Sequence, residues 1–283
     1  MEYKYSVDML KIRRITEKKY IEKFMNKYRN DGSVEYWFES GIGKFKHNFK
    51  FKQDNKNSFW VGIEPNSPNI KNNKLKTHIY LRFNPNKIKM EGKLKDIFYK
   101  LFRGRDFEIV SADIAADLFN IDLNLDVIVD KQKKHQIKDI KFNNSNRTYY
   151  IGRSGRNGSV RLYDKKKELE DNGKEVKYDY WTRYEVTINP KVHISELKKY
   201  KFQGTLPKIY IIENFNYDDK LSKTDWCILQ GLVDNSFKLS DLGRGKRKKI
   251  KSALNKQTEF KADSSKLSAT LKKYVYDDLL SDV

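Results

Sequence analysis

Two stretches, residues 159–164 (SVRLYD) and 180–188 (YWTRYEVTI), alternate apolar and polar side chains with period two. In the first, Val160 and Leu162 point one way and Arg161 and Tyr163 the other. In the second, Tyr184, Val186 and Ile188 share a face, and Arg183 and Glu185 share the opposite one. Such alternation marks half-buried strands. Working outward, the same signal recurs at 33–39 (SVEYWFE), 44–51 (KFKHNFKF), 59–63 (FWVGI), 77–83 (THIYLRF), 108–116 (EIVSADIAA) and 147–151. Turn clusters bound these runs: Gly41, Ile42 and Gly43, then EPNSPN and NPN. Apolar residues return every three or four positions at 17–28 and 94–102, a helical spacing. The first strand is expected at about Ser33. The fold class that follows is α+β, a largely antiparallel sheet flanked by helices. After about residue 212 the pattern turns helical, at 224–233, 240–255 and 267–280. The expected division is a strand-rich region, residues 1–205, and a small, helical, basic C-terminal region, residues 206–283. No internal repeat or long linker is visible.

Composition narrows the function. The 59 Lys and Arg outnumber the 38 Asp and Glu, a net charge of +21 over 283 residues, which favours a polyanionic partner, most often nucleic acid. A Lys-rich composition alone would also raise the charge. Aromatics at 13% supply a core, and only 5 Pro argues against a disordered chain. One cysteine, Cys227, excludes an internal disulfide framework and a Cys-based zinc site. No run approaches the roughly 18 apolar residues of a membrane span, and the N-terminus lacks a signal-peptide core. The expectation is a cytoplasmic protein with no membrane partner.

Three strands place chemistry on their non-core sides: Tyr163 beside Arg161, Glu185 beside Arg183, and Asp113 with Ser111 on the 108–116 strand. If these strands are neighbours, the side chains converge. A tyrosine hydroxyl can attack a phosphodiester and hold the strand covalently. Two carboxylates can hold Mg²⁺ or Mn²⁺, which would polarise the scissile phosphate. Arg161, Lys165, Lys166 and Lys167 would bind neighbouring phosphates. Taken singly, a strand tyrosine is more often a packing residue and a Glu beside an Arg more often a surface ion pair.

The order of motifs adds a resemblance. TYYIGRSGRNGSVRLYDKKKE (148–168) followed by WTRYEVTI (Trp181–Ile188) resembles the signature of the Rep-trans family, rolling-circle replication initiators of small plasmids with related relaxases of conjugative elements. VSADIAADLF (110–119) is similar to the family's acidic element, and THIYLRFNPNKI (77–88) stands where another family strand does. The likeness covers about residues 35–200. It implies a nickase/relaxase-like catalytic core in residues 1–205. It implies metal-dependent nicking and joining at an origin through a 5′-phosphotyrosine, with Tyr163 as nucleophile. Asp113 and Glu185 would be the metal ligands in a chain with only four His. Asp117 matches the family's second acid, but four residues along a strand put it roughly 13 Å from Asp113. Arg161, Lys165, Arg183 and Glu168 would support the chemistry, and Arg153 and Arg156 of RSGRNG would contact DNA. Two departures stand out: SAD replaces a basic R-I-D element, and RSGRNG is richer in glycine, which suggests a looser loop.

The C-terminal run GRGKRKKIK carries Arg244, Lys246, Arg247, Lys248, Lys249 and Lys251, which by family analogy would contact origin DNA. Its plainer reading is a solvated helix face. Trp226 and Cys227 are expected in a helix core, and His78 and His193 as structural or surface residues. The implied partners are origin DNA, duplex and single-stranded, a host helicase and a second copy of the chain. Two other readings compete: a relaxase of a conjugative or integrative element, and a non-catalytic DNA-binding protein. A first strand expected at about Ser33 would come too early for the helix-turn-helix domain common in the relaxase branch, so the expectation tilts towards a replication initiator.

Overall fold

The computed structural model describes residues 3–39, 45–65, 76–102, 106–124, 127–129, 137–142, 146–211, 221–233, 236–254 and 258–281. The expected turn at Gly41, Ile42 and Gly43, and the EPNSPN segment beyond Pro65, lie outside these residues. The class is α+β with a large, mainly antiparallel sheet and flanking helices. The chain forms two compact units, each built from three separate segments. The first contains residues 1–5, 115–187 and 203–267; the second contains 6–114, 188–202 and 268–283.

The second unit holds residues 6–17 of β1 (Tyr3–Glu17), then β2 (Val34–Phe38), β3 (His47–Lys52), β4 (Ser58–Pro65) and β5 (Lys76–Phe83), and residues 108–114 of β6 (Glu108–Phe119). Their order is β2-β3-β4-β5-β1-β6, and the pairings from β2 to β1 are antiparallel. One face is apolar: Phe49, Phe51, Phe59, Val61, Ile63, Leu81 and Phe83 are all buried. Helix α1 (Lys18–Tyr28) presents Ile21, Phe24 and Tyr28 at helical spacing. Phe24 packs edge-on to Phe49 at 5.2 Å and Tyr28 edge-on to Phe51 at 5.1 Å. Helix α2 (Gly92–Leu101) buries Leu94, Ile97, Phe98 and Leu101, and Phe98 meets Phe107 at 5.7 Å. Truncating a ring such as Phe51 to alanine costs about 3–5 kcal/mol in a core of this kind.

In the first unit the order is β6-β11-β10-β9-β8, with β8 (Ile137–Phe142), β9 (Asn146–Ile151), β10 (Ser159–Asp164) and β11 (Trp181–Ile188). A second sheet, β14-β13-β7, joins Thr258–Lys261, Lys208–Ile211 and Val127–Val129. Helices α4 (Lys223–Val233) and α5 (Arg244–Leu254) supply Leu229, Leu232, Ile250, Ala253 and Leu254 to an apolar cluster with Ile128 and Tyr210 of that sheet. Tyr184 links the two sheets: its ring meets Phe260 at 5.4 Å and its hydroxyl donates to the Pro207 carbonyl at 2.6 Å.

Two expectations change. The first strand is Tyr3–Glu17, not a segment near Ser33. Its buried residues step by three from Val7 to Leu10, where a regular strand steps by two, so the alternation loses phase and the signal vanishes. The helices of the C-terminal region are present, and α6 (Ser264–Lys273) follows β14. Two strands of four residues join them, too short for a period to register. The run KKKE after Tyr163 opens a helix, α3 (Lys165–Asp171).

Candidate functional site

The site grows from the β10–β11 pair. Its register sets Arg161 opposite Glu185 and Tyr163 opposite Arg183. On the far face Val160 and Leu162 meet Val186 and Tyr184, all buried. Slipping the register by one residue would turn every polar group into the core, so the apolar face fixes which polar groups meet. The loop before β10 is ordered rather than loose. Gly152, Gly155 and Gly158 adopt φ of 84°, 73° and 81°, a left-handed conformation that side chains disfavour. The Ser159 amide donates to the Arg156 carbonyl at 2.9 Å and the Gly158 amide to the Thr187 carbonyl at 2.8 Å. Arg153 and Arg156 are exposed at its tip.

Tyr163 is only 8% exposed. Its hydroxyl donates to Glu185 Oε2 at 3.5 Å, and Arg161 Nη2 donates to the same oxygen at 2.8 Å. The Arg161 guanidinium lies over the Tyr163 ring, 4.5 Å from its centroid. Burial and then the Glu185 charge push the phenol well above its ordinary range, against the opposing pull of Arg183 and Arg161. At neutral pH the phenol is therefore protonated, and its proton must leave during any nucleophilic attack. Arg161 Nε is buried with no hydrogen-bond partner. An orphaned buried donor is costly, and an anion would satisfy it.

Asp117 sits on β6 and takes donors on both oxygens. Arg183 Nε reaches Oδ1 at 2.6 Å and Nη2 reaches Oδ2 at 2.9 Å, while Trp181 Nε1 donates to Oδ1 at 2.8 Å. The two charged side chains are 6% and 8% exposed, a buried, forked ion pair. Asp113, four residues back on the same strand, is half-buried and falls in the other unit. Arg161, Tyr163, Arg183, Glu185 and Asp117 thus come together within one unit, with Lys165 Nζ 5.9 Å from the Tyr163 ring. Among the described residues, no group of three or more His, Cys, Asp or Glu could hold a metal ion. Asp117 faces Arg183 and Trp181, and Glu185 faces Arg161 and Tyr163.

The lysines after Tyr163 are engaged by the helix they begin. Asp164 caps α3 by accepting from the Lys167 amide at 2.9 Å. Lys165 is buried against Glu168, Lys166 donates to the Asp179 carbonyl at 3.1 Å, and Lys167 pairs with Asp171 at 2.9 Å. The basic helix α5 divides similarly. Lys246 and Lys249 reach the two oxygens of Asp225 at 2.8 and 2.7 Å. These two bonds hold the Asp225 carboxyl well below the usual range. Arg247 donates to the carbonyls of Ser240 and Leu242. Arg244 and Lys248 are exposed and Lys251 half-buried. None of these three has an ion-pair partner among the described residues. Asp225 and Trp181 gave no chemical signal in the sequence, because only folding brings their partners near. Cys227 is exposed, not core, since α4 turns Leu229 and Leu232 to the sheet instead. Trp226 packs against that cluster. His78 is buried beside Glu64, and His193 is exposed with its ring nitrogen at the Ser195 hydroxyl.

No protein-family model matches this chain, and no curated protein matches it in sequence. Among solved structures, the fold is similar to that of a rolling circle replication initiator protein from Geobacillus stearothermophilus. The TM-score is 0.40 and the identity 16%, covering 83% of this chain and 97% of that one. No helix among the described residues is long and apolar enough to cross a membrane.

Proposed function

We propose that the protein is a rolling-circle replication initiator that nicks and rejoins one DNA strand through Tyr163. One observation carries the reading: the β10–β11 register gathers a phenol, a carboxylate that accepts from it and two guanidinium groups on one face. In the reaction, Tyr163 Oη attacks the phosphorus and its proton passes to Glu185. The bond from phosphorus to the 3′ oxygen breaks, and that oxygen takes a proton from water. The products are a 5′-phosphotyrosine and a free 3′-OH, and reversal rejoins the strand. Arg161 would bind the phosphate, its orphaned Nε turned to a non-bridging oxygen, and offset the charge that develops there. Arg183, fixed by Asp117, holds positive charge behind the phenol. Exposed Arg153 and Arg156, and Arg244, Lys248 and Lys251 of α5, would hold flanking phosphates, positioning the DNA without reading its sequence. Lys246, Arg247 and Lys249 serve the fold first.

The Mg²⁺ or Mn²⁺ that the resemblance implies, with Asp113 as a further ligand, is a variable of the test rather than a step in this chemistry. The experiment mixes the protein with an origin-derived single strand that cannot rejoin, with Mg²⁺, with Mn²⁺ and with chelator. A denaturation-resistant adduct that disappears in Tyr163→Phe supports the reading; an adduct that survives the substitution rejects it. A helicase partner and a dimer belong to the same proposal, to be measured with purified components. One observation favours a second reading, a DNA-binding protein without catalysis: Glu185 and Asp117 already face cations. That reading requires salt-sensitive DNA binding and no adduct under any metal condition.

A further inference from the structure

The second unit carries a polar sheet face that the reading above does not use. Residues on this face form rows across the strands. Lys50, Trp60, Arg82 and Lys11 are successive cross-strand partners on β3, β4, β5 and β1. The next row is Asn48, Gly62, Tyr80 and Arg13.

Trp60 lies flat on this surface. A Cβ at Gly62 would stand 2.1 Å from Cη2 of the indole, so the ring occupies the space a side chain would take. Its Nε1 donates to buried Asn48 at 3.1 Å, and Phe45 packs edge-on to it at 4.8 Å. The ring is locked in place yet half-exposed. Lys11 lies among three rings, 4.7 Å from Phe45, 5.0 Å from Tyr80 and 5.7 Å from Trp60. Beside Trp60 opens a cleft of about 340 Å³, lined by Lys50, Lys56, Arg82, Lys87 and Asn84 among others, with no carboxylate in its lining. Lys56, Arg82 and Lys87 have no ion-pair partner among the described residues, and all three are exposed.

We infer that this cleft binds one nucleotide of a single-stranded DNA, its base stacked on Trp60 and its phosphates held by Arg82, Lys56 and Lys87. A rigid ring with cations on its rim is the chemistry single-strand binders use, because every base has a π-face and every nucleotide a phosphate. The volume sits at the lower end of the ligand range, about 300–1,000 Å³, room for one nucleotide and not a duplex. The choice of DNA over RNA rests on the strand-transfer reading; the stacking and phosphate contacts do not.

The test titrates a fluorescent oligo-dT into the full-length protein, with dTMP and a duplex of equal length as separate arms. Trp60→Ala should weaken single-strand binding by roughly 5- to 150-fold. Arg82→Ala, at an exposed position that leaves folding intact, should lower the slope of log affinity against log salt by about 0.7. Unchanged affinity and slope in both cleft variants overturn the inference, as does dTMP bound as tightly as the oligonucleotide or a preference for duplex. Adducts are scored in parallel, so lost adducts with intact cleft binding reject only the nickase reading, and the converse rejects only this one.

Discussion

Tyr163 and Tyr80 make an instructive pair. Both lie on strands, are 8% and 6% exposed, and have a glutamate and an arginine within reach. Tyr80 donates to Glu64 at 3.0 Å and receives Arg13 at 3.5 Å, while Arg13 also pairs with Glu108. Burial raises its phenol, but the hydrogen bond from Arg13 opposes the rise. Tyr163 makes only a long bond to Glu185, and the arginine over its ring keeps a buried nitrogen without a partner. The same residue types therefore form a satisfied network in one unit and an unsatisfied one in the other. Residue identity does not separate these two networks; the unsatisfied donor beside Tyr163 does.

The sharpest way to break this contrast is to remove each hydroxyl. Tyr163→Phe should eliminate the covalent adduct, whereas Tyr80→Phe should keep it and cost about 0.5–1.5 kcal/mol of stability, by removing hydrogen bonds to half-buried partners. An adduct lost only in Tyr80→Phe would reverse the assignment.

Next in size is the pair behind each tyrosine. Asp117→Ala strands a buried guanidinium and should cost about 3–5 kcal/mol in urea unfolding. Glu108→Ala removes a partner from the more exposed Arg13, at 29% and 22% exposure, and should cost about 1 kcal/mol or less. Equal losses would mean that burial is not what distinguishes the units.

The third comparison is alkaline stability. A phenol whose folded pKa is raised ionises more readily unfolded, so its contribution is complete below about pH 10 and is lost as pH rises beyond it. Burial is the leading cause of the rise in both phenols. Tyr163→Phe and Tyr80→Phe should therefore each flatten the stability loss above pH 10. Stability measured from pH 8 to 11 in both variants checks this, and an unchanged slope in either would show that its phenol is not raised.

The smallest effect belongs to α5. Lys248→Ala and Lys251→Ala should each lower the salt slope of duplex binding by about 0.9 with little change in stability. Lys246→Ala or Lys249→Ala should instead lower stability, because each bonds a carboxylate oxygen of Asp225, whose side chain has no solvent exposure. A uniform salt effect from all four would show the whole helix face to be free.

Much of this was readable from local pattern. The alternation in SVRLYD and WTRYEVTI placed Arg161, Tyr163, Arg183 and Glu185 on non-core faces, and the strands do pair. The helical spacing of Ile21, Phe24 and Tyr28 announced α1. What escaped had a specific cause. In β1 the buried residues change phase at Leu10, β13 and β14 are four residues long, and the lysines after Tyr163 carry no mark of the cap that Asp164 provides.

By itself, the sequence determined the strands and helices of longer period, the basic charge and the face each polar side chain takes. All of these follow from steric and hydrophobic rules acting over a few residues. Tertiary structure alone settled which charges are already neutralised. Arg183 meets Asp117 across 66 residues, and Lys246 and Lys249 meet Asp225 across 21 and 24. Such pairings depend on which strands and helices become neighbours, and local periodicity carries no record of that choice.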